Sequence, residues 1–373
     1  MFMLAGCGSG TEETMRPSCC LVALMLIPGG VVAAGPASIG EPLRHDDAVH
    51  ALGVSPDGKL VATGAGDNTA RVWDAATGKA VTAPLKHGAH VQSVAFSPDG
   101  KTLLTGTNKA ALLWDVSSGR QIGEPLPHAG FVYAVAYSPD GKTLMTGSHD
   151  NTARLWDATT REPIGEPLRH GDRVYIVAFS PDGRLAASGG NDNVVRLWTA
   201  RTGASVAKPL QFKGSVRSVA FTPDGRAILA GSLDKTARLW DTATGQPLSP
   251  PMEHTDQVRG VALSPDGGTA VTASLDNSAR LWEASTGKQL GEPMRHSQGV
   301  RVAAFGPDGR TVLTGSFDGT ARVWDATTGK PLGEPMVHQG LVRRVGYASG
   351  GKTVVTASFD HTARLWKTPE PGK

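Results

Sequence analysis

The sequence predicts an all-β protein in which eight repeated units, each of four short antiparallel strands, close into a ring. Three observations predict this fold. The eight tryptophans recur at a nearly constant interval, at positions 73, 114, 156, 198, 240, 282, 324 and 366. The 47 Gly and 25 Pro, with only 6% aromatic residues, favour short strands and tight turns over long helices. A Ser-Pro-Asp-Gly turn or a variant of it accompanies each tryptophan, as at 138–141.

The repeated unit is clearest around Trp156. Apolar residues alternate before the turn at 138–141, and a second tight turn follows at Asp150 and Asn151. Strands are therefore predicted at 131–137, 142–148, 152–156 and 163–168. The last of these contains Pro163 and Pro167, which suit only an edge strand, so we expect it at the outer rim of the ring.

The ring is predicted to close through a strand from the beginning of the chain. Residues 39–45 repeat the fourth-strand segments 122–128 and 164–170, yet they precede the first tryptophan. The chain ends shortly after Trp366, which lies in a third strand. Residues 39–44 should therefore complete the last blade, built from 342–367, and cover its open edge.

Four short strands per unit, with a Trp-Asp pair such as Trp156-Asp157 at the end of the third, resemble the WD-repeat family of β-propellers in its bacterial tandem arrays. The resemblance covers residues 38–366. It implies an eight-bladed WD-repeat β-propeller with four antiparallel strands per blade. It also implies a noncatalytic scaffold that binds partner proteins or peptides on the face formed by the His-containing loops, without cofactor or metal.

The resemblance further implies a buried hydrogen-bond chain of His, Ser or Thr, Asp and Trp in each unit. Four units carry a full set, and these sets are His128, Ser148, Asp150 and Trp156; His254, Ser274, Asp276 and Trp282; His296, Ser316, Asp318 and Trp324; and His338, Ser358, Asp360 and Trp366. Four units are expected to be incomplete, because of Ala65, a residue lost near Asn108 and Lys109, Gly190, and Phe212. Each missing partner is expected to weaken its blade.

Recurring His, Ser and Asp residues also invite a catalytic interpretation, which we reject because a packing device, unlike an active site, recurs in many units. Histidines spread around the ring do not make a metal site. Quinoprotein dehydrogenases are the one enzyme class to weigh, since Asp-x-x-Thr-Gly-Lys occurs at 74–79 and 325–330. Their docking Trp is absent, because Thr82 and Gly333 stand in its place.

The first 37 residues are expected to be a leader, followed by the propeller at 38–367 and a short tail at 368–373. Arg16 and the apolar run 19–27 resemble a signal peptide, which favours export, although the run is too short to span a bilayer. A disordered leader on a cytoplasmic protein and a lipoprotein motif at 4–7 are the alternatives. Net charge of only +3 without a basic aromatic run argues against nucleic acid.

A binding face is predicted from the residue that follows the first Val of each innermost strand. Reading around the ring, this residue changes from His50, Gln92, Tyr133 and Tyr175 to Arg217, Arg259, Arg301 and Arg343. On the same face, the last four units add Leu233, Leu275, Phe317 and Phe359. We expect a monomer whose partner is a protein or peptide with acidic or phosphorylated groups beside apolar anchors.

Two alternatives stay open for this face. The four last units resemble one another closely, so their shared Arg and apolar residues could be remnants of recent duplication without a selected ligand. The chain could also be a regulatory or sensor module of a separately encoded enzyme, such as a protein kinase.

Overall fold

The structure, a computed structural model, describes residues 36–369. In this part of the chain there are 30 strands and one short 3-10 helix, Ser349–Gly351. We number the repeats 1 to 8 by their tryptophans. The predicted leader lies outside the described residues except for 36 and 37, as does the tail from 370 onward. None of the helices in the described part is long and apolar enough to cross a membrane.

Six of the sheets have four strands, which run antiparallel from the centre of the ring to its rim. In repeat 1 they are β2 (Val49–Val54), β3 (Leu60–Ala65), β4 (Thr69–Asp74) and β5 (Leu85–Lys86). In repeat 4 they are β12 (Val174–Phe179), β13 (Leu185–Gly190), β14 (Val194–Thr199) and β15 (Leu210–Gln211). In repeat 5 they are β16 (Val216–Phe221), β17 (Ala227–Ser232), β18 (Thr236–Asp241) and β19 (Met252–Glu253).

The last three repeats follow the same order. Repeat 6 contains β20 (Val258–Leu263), β21 (Thr269–Ser274), β22 (Ser278–Glu283) and β23 (Gln289–Arg295). Repeat 7 contains β24 (Val300–Phe305), β25 (Thr311–Ser316), β26 (Thr320–Asp325) and β27 (Pro331–Val337). Repeat 8 contains β28 (Val342–Ala348), β29 (Thr353–Ser358), β30 (Thr362–Lys367) and, as its outermost strand, β1 (Leu43–Arg44).

The prediction of eight four-stranded blades is wrong, because the described chain forms seven sheets and therefore seven blades. Repeats 2 and 3 share one six-stranded sheet made of β6 (Ser93–Phe96), β7 (Thr102–Asp115), β8 (Leu126–Tyr137), β9 (Thr143–Ser148), β10 (Thr152–Asp157) and β11 (Pro163–Arg169). Strand β7 folds back tightly at Asn108 and Lys109, where the other repeats have an Asp-capped turn: Lys109 has φ of 61°, and Trp114 Nε1 donates to Thr105 Oγ1 at 2.9 Å. Asn108 then pairs with Phe131, so β8 continues from the rim of repeat 2 into the centre of repeat 3.

The start of the chain pairs with its end. Leu43 and Arg44 lie opposite Ala363 and Thr362 of β30, and the Ile39 amide donates to the Leu365 carbonyl oxygen at 2.8 Å. The regular pairing covers only 43–44 of the predicted 39–44. Leu43 is 1% exposed and belongs to an apolar cluster shared by repeats 8 and 1, so this strand closes both the edge and the core.

The hydrophobic core is divided among eight clusters, each between consecutive repeats and each with one tryptophan. Between repeats 6 and 7, for example, Val271 and Met294 pack with Val300 and Trp324. Each repeat thus buries its apolar faces only against its two neighbours, which is the packing expected of a repeat array. All eight tryptophans are at most 9% exposed.

Candidate functional site

A β-bulge places the predicted face residues. In β16 the register shifts between Val216 and Ser218, so Arg217 is an extra residue without a partner in β17. The same shift occurs in six other innermost strands, at residues 50, 133, 175, 259, 301 and 343. Bulges re-aim side chains at sheet edges, and these seven lie on the edges that face the centre of the ring. The alternation of side chains along a strand does not reveal this device.

Six of the predicted residues line a single cavity of about 70 Å³ near the centre of the ring. They are Tyr133, Tyr175, Arg217, Arg259, Arg301 and Arg343. The cavity has one further lining residue, Arg344, which the sequence analysis missed. We call Arg217, Arg259, Arg301, Arg343 and Arg344 the arginine cluster. No Asp or Glu is among the lining residues of this cavity.

Aromatic rings support three of these arginines. The guanidinium carbon of Arg217 lies 3.8 Å from the centre of the Tyr175 ring, and that of Arg343 lies 5.4 Å from the centre of the Phe359 ring. The corresponding distance from Arg301 to Phe317 is 6.0 Å. Cation–π contacts of this kind hold a guanidinium in place without neutralising its charge.

Hydrogen bonds tie two members of the cluster to other repeats. Arg343 donates to the His50 carbonyl oxygen at 3.0 Å and to Gln92 Oε1 at 3.4 Å, so it links repeat 8 with repeats 1 and 2. Arg217 Nη2 donates to Asn191 Oδ1 at 3.4 Å. All of these acceptors are neutral, and the charge of the cluster is therefore not compensated by them.

Burial and the closeness of like charges lower the pKa values of two arginines in the cluster. Burial, followed by the charges of Arg343, Arg344 and Arg259, holds the pKa of Arg301 well below its usual value. Burial and the charge of Arg343 lower the pKa of Arg344 to about 10. Five arginine side chains thus meet at one cavity without a carboxylate among its lining residues, so positive charge is concentrated there.

On the side of repeats 3 and 4 the cavity wall is aromatic. Tyr133 stacks on His149 with 4.5 Å between ring centres, and Tyr175 meets both rings edge-on at 5.1 Å. His50, from repeat 1, stacks on His90 and contacts Phe359 edge-on. Burial, then the positive charge of Arg343, lowers the pKa of His50 to about 4, so this imidazole is neutral at pH 7.

The four predicted apolar residues, which we call the apolar arc, are half-buried. They are Leu233, Leu275, Phe317 and Phe359. A Cβ atom built on Gly299 would meet both Leu275 and Phe317, so these neighbours from repeats 6 and 7 approach the same point. Phe317 and Phe359 also contact arginines of the cluster. The arc therefore borders the arginine cluster and is partly engaged in supporting it.

The buried hydrogen-bond chains differ from the predicted ones in the residue that supplies the bridging hydroxyl. In repeat 3, His128 Nδ1 lies 2.8 Å from Asp150 Oδ2, and Thr146, not Ser148, links His128 Nε2 at 2.7 Å to Trp156 Nε1 at 2.9 Å. In repeats 6, 7 and 8, Ser274, Ser316 and Ser358 are likewise replaced by Thr272, Thr314 and Thr356. The serines accept the amide hydrogen of the turn Asp, as Ser148 does from Asp150 at 3.1 Å.

Because the bridging hydroxyl lies two residues earlier, repeats 1 and 4 are complete, contrary to expectation. Their chains are His45, Asp67, Thr63 and Trp73, and His170, Asp192, Ser188 and Trp198. Ala65 and Gly190, which we took as defects, occupy the position of the turn-capping serine. Repeat 2 keeps His87, Thr105 and Trp114, but His87 Nδ1 faces the Leu85 carbonyl oxygen.

Repeat 5 is the one repeat in which the chain is apolar. Phe212 replaces His and meets Trp240 edge-on at 5.6 Å, while Ala230 stands at the hydroxyl position. Trp240 Nε1 is buried and has no hydrogen-bond partner among the described residues. Repeat 5 therefore shows that the ring tolerates one blade without the polar chain.

The buried chains also bear on catalysis. In the sets around His128, His254, His296 and His338 the His side chain is fully buried and the Asp side chain at most 7% exposed, so no substrate reaches them. Burial alone would raise the pKa of Asp276, but hydrogen bonds from His254 and Ser278 hold it well below the usual value. These groups are arranged for stability. Within residues 36–369, no cluster of His, Cys, Asp and Glu is suited to a metal ion.

The Asp-x-x-Thr-Gly-Lys segments form turns. Asp74 Oδ1 accepts hydrogen bonds from the Ala76 and Thr77 amides and from the Thr77 hydroxyl, and Gly78 has φ of 70°. Asp325 caps the turn at Thr328 in the same way. Thr and Gly are thus used for backbone geometry, because only Gly adopts positive φ without strain.

Three comparisons place this geometry among known proteins. The family model described as WD domain, G-beta repeat matches eight segments, at residues 39–74, 81–115, 119–157, 161–199, 208–241, 245–283, 287–325 and 329–367. Among solved structures, the chain is similar to the crystal structure of the computationally designed Ika8 protein, with 24% identity over 89% of this chain and 99% of that chain and a TM-score of 0.79. This likeness concerns the fold alone. The comparison with curated proteins found no match.

Proposed function

The chain belongs to the WD domain, G-beta repeat family, whose propellers are typically protein-interaction scaffolds, and from this premise we propose that residues 38–367 form a noncatalytic scaffold that binds a partner protein or peptide. The binding surface is the apolar arc together with the adjoining arginine cluster. The observation that carries the proposal is the placement of both sets side by side in repeats 5 to 8.

The chemistry of this surface suits a protein segment. Apolar side chains supply area that a partner removes from water, and central apolar or aromatic residues usually carry most of the binding free energy. Leu275 and Phe317 approach the same point and are only half-buried, so a partner side chain that contacts one also contacts the other. The neighbouring guanidinium groups would attract acidic or phosphorylated residues of that partner and orient it.

Affinity capture with a binding-face variant tests this proposal. The full-length chain is immobilised and exposed to lysate of its own source, and captured proteins are quantified by mass spectrometry. The double variant Leu275→Asp, Phe317→Ala should capture its specific partner at least about tenfold less than the unaltered chain, since a loss of about 1.4 kcal/mol of binding free energy already gives a factor of ten. Treating the lysate with phosphatase separates phosphorylated from acidic partners.

Val337→Asp is the matched control, because Val337 is 51% exposed in the outer strand β27, away from the proposed surface. It also replaces an exposed apolar residue by a carboxylate. Equal loss of the partner in both variants, or capture that neither variant reduces, would refute the proposed surface. Circular dichroism and melting temperature establish that both variants are folded.

A further inference from the structure

We propose that the arginine cluster is a binding site for a small, multiply charged oxyanion of the phosphate class, such as pyrophosphate. This inference goes beyond the scaffold function, since it assigns a small ligand to the centre of the ring. It does not depend on the apolar arc.

The first argument is charge concentration. Four neighbouring innermost strands, β16, β20, β24 and β28, direct five guanidinium groups to one cavity that no Asp or Glu lines. Partly buried like charges are costly unless a counter-charge compensates them. Tyr133 and Tyr175 complete the wall. An anion is therefore the complementary occupant.

The second argument is an unfilled hydrogen-bonding requirement. Arg301 Nε is buried and has no hydrogen-bond partner among residues 36–369, and Arg217 Nε is in the same condition. Burial, followed by the charges of Arg343, Arg344 and Arg259, lowers the pKa of Arg301. An oxyanion in the cavity would supply acceptors to donors that the protein leaves unpaired.

The third argument concerns residue 344. Its identity bears on whether the arginine cluster is a selected binding site or a remnant of repeat duplication. At the position equivalent to Arg344 the other repeats have small or apolar residues, namely Ala51, Ser93, Ala134, Ile176, Ser218, Gly260 and Val302. Arg344 is thus the only charged residue at this position, and copying of a repeat does not account for it. Its guanidinium reaches the same cavity as the four bulge arginines.

The size of the cavity suits a small ion. About 70 Å³ is several times the space that one water molecule needs, so the cavity has room for a small anion. Guanidinium groups present planar pairs of N–H donors that match the oxygen atoms of phosphate-type anions. A small oxyanion of high charge fits both the volume and the donors.

Isothermal titration with pyrophosphate and with orthophosphate, at constant ionic strength and against a chloride control, tests the proposal on the full chain. We expect saturable binding of one ion per chain and a melting temperature that rises with the logarithm of the anion concentration once this exceeds the dissociation constant. Arg301→Gln and Arg344→Gln should each weaken binding by about tenfold or more. Their melting temperatures without anion should equal or exceed that of the unaltered chain, because a repelling charge is gone.

Arg184→Gln is the matched control, since the Arg184 side chain is 86% exposed in a turn outside the cluster. It should bind the anion as the unaltered chain does. Absence of saturable binding, or the same loss in Arg184→Gln as in Arg301→Gln, would overturn the proposal. Binding of a phosphorylated peptide without binding of either free ion would also overturn it. In each of these cases capture that depends on Leu275 and Phe317 would leave the proposed scaffold function standing.

Discussion

Replacing Thr272 by valine removes the buried hydroxyl that links His254 to Trp282 in repeat 6. The volume of the side chain stays nearly the same. Thr272 Oγ1 lies 2.6 Å from His254 Nε2 and 2.8 Å from Trp282 Nε1. Trp282 Nε1 donates to the Thr272 hydroxyl, which is also hydrogen-bonded to His254 Nε2, while His254 Nδ1 is hydrogen-bonded to Asp276. The variant leaves both ring nitrogens without a partner. At about 1–3 kcal/mol for each, the free energy of unfolding should fall by about 2–6 kcal/mol.

Equilibrium urea unfolding followed by tryptophan fluorescence measures this loss, and Ser274→Ala is its control. Ser274 is hydrogen-bonded to two backbone groups, the Asp256 carbonyl oxygen before β20 and the Asp276 amide in the turn after β21. Repeats 1 and 4 have Ala65 and Gly190 at this position and keep their chains, so Ser274→Ala should cost only about 0.5–1.5 kcal/mol. The reasoning is refuted if Thr272→Val costs no more than Ser274→Ala.

Three further predictions concern stability. Phe212→His with Ala230→Thr should build the missing chain in repeat 5 and raise the urea midpoint, by about 1 kcal/mol in unfolding free energy; an unchanged or lower midpoint would contradict this. Leu43→Ala should cost about 2–5 kcal/mol in the same assay, because Leu43 closes the core between repeats 8 and 1; a loss below 1 kcal/mol, to order of magnitude, would show that the closing strand contributes little. Burial lowers the pKa of His87 to about 4, so the unfolded chain takes up this proton first and stability falls as pH drops from 6.5 to 4, by up to about 3 kcal/mol. His87→Phe should reduce the dependence of the urea midpoint on pH over that range, and His50, whose pKa is also about 4, accounts for part of what remains; an unchanged dependence would argue against the assignment.

The repeat architecture could be predicted because one period carries redundant signals. Each tryptophan anchors one cluster between neighbouring repeats, and 43–44 pair with β30 since the early segment repeats the fourth-strand sequence. The number of blades could not be predicted from the same period. Repeats 2 and 3 share one sheet because Asn108, at the tight turn that lacks the capping Asp, pairs with Phe131.

The candidate site could be predicted in part, and the errors in that prediction have physical causes. Thr146 and Ser148 point to the same side of β9, because they are two residues apart, so alternation cannot tell which hydroxyl reaches the tryptophan. A hydroxyl residue stands at the earlier position in seven repeats, with Ala230 as the exception. This recurrence could have identified the earlier position as the one that contacts the tryptophan. Arg344 was missed because it occurs in one repeat only, so a comparison of equivalent positions around the ring does not point to it. The bulges that gather the arginines leave no mark in composition or spacing.

Site-specific photo-crosslinking tests the proposed binding surface most directly. A benzophenone amino acid is introduced in place of Phe317 in one chain and in place of Val337 in another, and both are irradiated in lysate of the source. The proposed scaffold predicts a crosslinked partner of defined mass from position 317, reduced by an added Leu275→Asp substitution, and none from position 337. The same crosslinks from both positions, or a defined partner from position 337 alone, would contradict it.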